Sequence, residues 1–100
     1  MRMIDVGGKP RTERMAVARG RVSMSAATLR RVRAGRVEKG DVLAAARLAG
    51  ILAAKRTPEI VPLCHPIGLS GVEVAVTPRA GGVEAVATVR TVDRTGVEME

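Results

Sequence analysis

His65 is the only histidine of this chain and stands beside its only cysteine, Cys64, in the segment Leu63-Cys64-His65-Pro66. An imidazole titrating near neutral pH can move a proton or contact a ligand, although a lone histidine can equally be structural. Cys64 has no second Cys or His at metal-ligand spacing, so no metal site within one chain is expected. Lys39 precedes Gly40-Asp41 at a predicted helix start, where the helix dipole favours Asp41 and disfavours a cation. Lys39 is therefore either simply solvated or serving an anion, and a phosphate there would use its ammonium together with free backbone N–H groups. The same reasoning applies more weakly to Lys55 and Arg56. Glu98 and Glu100 are two apart: in a helix they diverge, and in extended chain they share a side. Glu98 belongs to a Thr95-Gly96-Val97-Glu98 capping box, which leaves Glu100 as the freer carboxylate for binding or proton transfer. Arg30, Arg31 and Arg33 read most simply as a solvated helix face.

These residues need elements to position them. Residues 1–13 carry Gly7, Gly8 and Pro10 and read as an irregular arm. From Arg14 to Met24, Ala16, Ala18, Gly20 and Val22 alternate with Met15, Val17, Arg19 and Arg21, the period of a strand. Ser25 suits an N-cap for a helix over 26–34, with Gly35 as its stop. A second helix is predicted from near Lys39-Gly40-Asp41 to about Lys55. Its apolar spacing is carried by Val42, Ala45, Ala46, Ala49, Leu52 and Ala53, and Pro58 is expected to end it. Its small residues allow a close approach to the sheet or to a helix of another subunit. Glu59 to Ser70, with Pro62, Pro66 and Gly68, is a constrained connection.

A hairpin follows. Val72, Val74 and Val76 alternate with Glu73, Ala75 and Thr77, a turn is expected over 78–82, and Val83, Ala85, Ala87 and Val89 alternate with Glu84, Val86, Thr88 and Arg90. The order strand, helix, helix, strand, strand, helix start is most of a ferredoxin-like plan with an extra helix. The expected fold class is thus α+β, one domain over 1–100, an antiparallel sheet with helices on one face. One further helix and strand would complete it, so the fold reads as incomplete at the C-terminus.

Composition bounds the function. The apolar fraction is 46% without a single Phe, Tyr or Trp, so the core is built from small and branched side chains. Base stacking on aromatic platforms has nothing to use here, and nucleic acid is not the expected partner. A net charge of +7 attracts phosphate-bearing partners without naming one. A single cysteine suits a reducing compartment, and no secretory signal or membrane-length apolar run is visible. The expectation is a cytoplasmic protein without a membrane partner.

Taken together, Gly40-Asp41-Val42-Leu43-Ala44, the run Ala49 to Thr57, Pro62 to Pro66 and Arg94 to Glu100 make the chain resemble the cyclic pyranopterin monophosphate synthase family, the molybdenum cofactor biosynthesis protein C family. The likeness runs from about Met3 to Glu100. It implies a ferredoxin-like lyase that converts 3′,8-cyclo-7,8-dihydroguanosine triphosphate to cyclic pyranopterin monophosphate and pyrophosphate. It also implies a homohexamer, a trimer of dimers, with sites at dimer interfaces. By that resemblance Leu63, Cys64 and His65 match one substrate-binding segment and Met99 with Glu100 a second, and Lys39 matches a catalytic lysine. Arg14 and Lys55 match basic positions facing the phosphates, and Glu98 matches a motif acid. Lys39 would serve proton transfer or phosphate stabilisation, His65 substrate contact, and Glu100 the guanine-derived ring. No resident cofactor is implied, although a divalent ion can accompany the triphosphate.

The family pattern continues past Glu100 with a helix bearing an Asp-x-x-Lys motif and a last strand, so these 100 residues alone are expected not to turn over substrate. Two rivals remain open. A basic nucleic-acid-binding module would use Arg30, Arg31 and Arg33, and a noncatalytic ferredoxin-like assembly domain would suit an open sheet edge.

Overall fold

Alternation of valine with polar residues makes the hairpin the best-specified part of the molecule. In the computed structural model, which describes residues 1–35 and 40–100, it comprises β2 (Leu69–Arg79) and β3 (Gly82–Asp93). Val72 pairs with Val89 and Val74 with Ala87, so both apolar rows face the same way. The turn is tighter than the sequence implies. Only Ala80 and Gly81 lie between the strands, Gly81 adopts φ +79°, and Pro78 pairs with Val83 inside β2. Proline is tolerated there because β2 is an edge strand that need not donate outward.

The first strand, β1 (Thr12–Ser23), pairs antiparallel with β3, giving a three-stranded sheet of order β1-β3-β2. It starts at Thr12, two residues before the expected Arg14, because Thr12 still pairs with Asp93. The irregular arm is correspondingly shorter than 1–13. Among the described residues β1 has no partner on its other edge. Close packing at the hairpin needs Gly82, where a Cβ would lie 2.2 Å from the Val22 carbonyl oxygen.

Helix α1 (Ala26–Arg33) begins as the sequence predicts, with Ser25 Oγ accepting the Thr28 N–H at 3.2 Å. Gly35 follows its end in the left-handed region, φ +66°. Leu29 and Val32 carry its buried face against Val83.

Helix α2 (Val42–Ile60) is capped by Asp41, whose Oδ1 accepts the Ala44 N–H at 3.1 Å. The expected stop at Pro58 does not occur. Proline withholds one N–H and costs the helix a single bond, while Thr57 Oγ1 donates to the Ala53 carbonyl at 2.9 Å and the Val61 N–H closes the last turn on Thr57 at 2.8 Å. The face turned inward also differs from the predicted spacing. Leu43, Ala46, Gly50, Ala54 and Thr57 are buried or half-buried, whereas Val42, Ala45, Ala49, Leu52 and Ala53 are exposed. An Ala-rich helix is apolar all round, so periodicity alone cannot choose its inner side. Contact chooses: at Gly50 a Cβ would lie 3.1 Å from Val74 Cγ1, a spacing that only glycine permits without adjustment.

Both helices lie over one face of the sheet, an α+β arrangement consistent with part of a ferredoxin-like fold. The core falls into two clusters, one around Leu29, Val32 and Val83, the other around Ala54, Val89 and Val97. Beside the first cluster opens an apolar groove of about 570 Å³ lined by residues including Val22, Leu43, Val76 and Ala85. The radius of gyration of 16.4 Å exceeds the ~13 Å usual for a compact domain of this length, as a long sheet with one partly bare face requires. No helix among the described residues is long and apolar enough to cross a membrane.

Candidate functional site

Two connections leave the second core cluster on the same side and meet. One is the stretch from Val61 to Gly68 between α2 and β2, turned by a Cys64 N–H bond to the Val61 carbonyl at 3.1 Å. The other is the tail after β3, Arg94 to Glu100. Val97, only 1% exposed, packs with Ala54 and Val89 and anchors this tail. Burying a valine is worth about 1.5–3 kcal/mol, which offsets part of the entropy lost in ordering the tail.

Gly68 joins the two connections. Its N–H donates to Asp93 Oδ2 at 3.1 Å, its carbonyl accepts from the Thr91 hydroxyl, and Asp93 Oδ1 accepts the Arg94 N–H at 2.8 Å. The two N–H donors, with Arg11 and Arg94 nearby, hold the Asp93 carboxyl below its ordinary value. A register shift between Leu69 and Gly71 relaxes the strand at this clamp, as bulges beside functional sites often do.

The result is a cleft lined by Leu63, Cys64, His65, Thr95, Gly96, Glu98, Met99 and Glu100. Cys64 Sγ is 3.1 Å from Glu100 Oε2. Burial, then the hydrogen bond to Glu100, then the charge of Glu100 push the thiol up to about 11, so it stays a neutral donor. The ring Nε2 of His65 pairs with the backbone carbonyl of Ile4, which brings the N-terminal arm against the cleft. Glu98 folds back on its own chain, and a Cβ on Gly96 would lie 2.2 Å from its Oε1.

The predicted Thr95–Glu98 capping box is not formed. Residues 94–100 carry no helix. In this open conformation Glu98 and Glu100 both line the cleft.

Of the residues singled out from the sequence, the structure brings together Leu63, Cys64, His65, Glu98, Met99 and Glu100. Arg14 sits elsewhere, in a groove with Glu13, Met15, Ser70, Arg90 and Val92, and its Nε is buried without a hydrogen-bond partner. Lys55 is exposed on α2 and lines neither cavity. Lys39 lies outside the described residues. Among the described residues no group of three or more His, Cys, Asp or Glu is arranged to hold a metal ion. Sequence reasoning passed over Thr91 and Asp93. Their signal was available: β3 parity puts both on the buried face with Val89, and two polar residues ending an apolar row need a partner.

The model of the MoaC family matches residues 3–100. The chain belongs to the MoaC family. A cyclic pyranopterin monophosphate synthase of Thermomicrobium roseum is 60% identical over 101 residues, covering 99% of this chain and 61% of that protein. Proteins of the same name from Novosphingobium aromaticivorans and Pelotomaculum thermopropionicum are 52% and 54% identical, again over 99% of this chain. The chain spans between 59% and 63% of the length of these relatives.

Proposed function

We propose that the chain contributes the substrate site of a cyclic pyranopterin monophosphate synthase, a lyase of molybdenum cofactor biosynthesis. It would convert 3′,8-cyclo-7,8-dihydroguanosine triphosphate to cyclic pyranopterin monophosphate with release of pyrophosphate. The observation that carries this reading is the meeting of Leu63-Cys64-His65 with Glu98-Met99-Glu100 in one cleft, across more than thirty intervening residues, in a chain of the MoaC family. The names of the relatives support the reaction.

The cleft offers a carboxylate, an imidazole and apolar side chains to one edge of a reduced, nitrogen-rich ring. Glu100 accepts ring N–H groups, His65 contacts substrate, and Glu98 is a second acid beside it. The net charge of +7 favours the triphosphate, with Arg14 and Lys55 assigned to the phosphates and Lys39 to proton transfer or phosphate stabilisation. At about 60 Å³ the cleft is far below the roughly 300–1,000 Å³ of a small-molecule site, so it forms one wall. Other walls would come from a neighbouring subunit, in keeping with a homohexamer built as a trimer of dimers. A divalent ion bound with the triphosphate, and a cytoplasmic location, complete the reading.

Calorimetric titration with guanosine triphosphate as stand-in ligand tests it. Saturable binding that weakens about tenfold or more in H65A and in E100Q is expected, the loss of a charge-assisted contact being worth that much. Salt-sensitive binding to duplex DNA, with no binding of the nucleotide, would replace this reading with a nucleic-acid module.

A further inference from the structure

We infer that Cys64 is a positioning residue of this site: its thiol grips one oxygen of the Glu100 carboxylate and so aims the other at the ligand. The inference rests on the reading above only in taking Glu100 to face a ligand.

The geometry is specific. Sγ is 3.1 Å from Oε2 of Glu100, close for a hydrogen bond donated by a thiol, and 3.6 Å from the carbonyl oxygen of the next residue, His65. Both neighbours are acceptors, so the sulfur can serve them only as a thiol, and a thiolate there would face two oxygens that repel it. Cys64 itself is 7% exposed, whereas Glu100 is half-buried where it lines the cleft, and its long side chain has rotamers to lose that a fixed partner restricts. An unheld carboxylate pays side-chain entropy on meeting a ligand, and a held one has already lost it. Cys64 is in turn fixed by its backbone bond to Val61 and by the Asp93 clamp on Gly68 beyond it. Holding Oε2 leaves Oε1 as the acceptor for ring N–H groups.

The absence of Tyr and Trp makes the test direct, because the thiolate absorbance of a single cysteine is then unobscured in the ultraviolet. In the wild-type chain its titration midpoint is expected near 11, and in E100Q it falls, since a neutral amide cannot repel the thiolate. An unchanged midpoint in E100Q overturns the contact, and with it the inference, whatever the ligand does. The second arm measures guanosine triphosphate affinity in a double-mutant cycle. C64V, which keeps volume but has no donor, is expected to weaken binding about tenfold, as is E100Q, and the double variant no more than about twentyfold. C64S, which restores a donor, recovers affinity to within about threefold of wild type. Independent effects that multiply toward about a hundredfold overturn positioning while leaving the site intact. Unchanged affinity in E100Q with a shifted thiol midpoint keeps the contact and instead removes Glu100 from the ligand site.

Discussion

The Asp93 carboxylate accepts the backbone N–H of Gly68 at 3.1 Å, and through that one bond the end of β3 fixes the connection that carries Cys64 and His65. The same carboxylate accepts the Arg94 N–H at 2.8 Å and so also fixes the start of the tail that carries Glu98 and Glu100. Because Asp93 is held below its ordinary value of 3.8, its contribution to stability is fully present above that pH. It is lost as pH falls through the lower folded-state value. D93N removes the charge at every pH. The melting-temperature difference between wild type and D93N, followed by far-ultraviolet circular dichroism, should therefore be constant near neutrality and shrink below the ordinary value. A difference that persists unchanged into acid would count against the clamp.

Thr91 is 1% exposed and donates to the Gly68 carbonyl, the other half of the same clamp. T91V keeps the shape and deletes the donor, so the Gly68 carbonyl loses its protein partner, and a loss of about 1 kcal/mol in urea unfolding is expected. T91S should retain most of that stability. Equal losses in both would assign the effect to packing.

Gly50 lets α2 approach β2. A Cβ at that position would meet both methyls of Val74, at 3.1 and 3.2 Å, and the stiff β-branched side chain cannot rotate one away without presenting the other. Overpacking of about 1–3 kcal/mol therefore outweighs the ~1 kcal/mol that alanine gains in a helix, and G50A should lower stability by about 1 kcal/mol. In a V74A background the clash is gone, and the sign should reverse. Chemical denaturation of the four proteins checks both.

The raised Cys64 thiol predicts slow alkylation. At pH 8 the fraction ionised with a value of about 11 is ~100-fold below that with the ordinary 9.0, so iodoacetamide should modify the native chain about 100-fold more slowly than the urea-unfolded chain. The stability linked to this group is fully present below pH 9.0 and is lost as pH rises toward about 11, the reverse of Asp93. Mass spectrometry of timed aliquots gives the rates. Comparable native and unfolded rates would show the thiol to be open.

Local chemistry was enough to read much of this molecule from its sequence. The Val72–Val76 and Val83–Val89 rows, the Ser25 and Asp41 caps and the Gly35 stop depend on residues within a few positions of one another, where period and capping act directly. The motif segments, Leu63 to Pro66 and Arg94 to Glu100, were likewise legible as candidate site, and so was the family they belong to. Where several local answers were nearly equal in energy, tertiary contact decided. The inner face of an all-apolar α2 was chosen by Gly50 against Val74, Pro58 was tolerated because neighbouring bonds closed the turn, and Glu98 lines a cleft where no helix forms for it to cap. The pairing of Cys64 with Glu100, thirty-six residues apart, and the grip of Thr91 and Asp93 on Gly68 exist only once the sheet has set its register. Spacing along a chain does not encode distances across a fold.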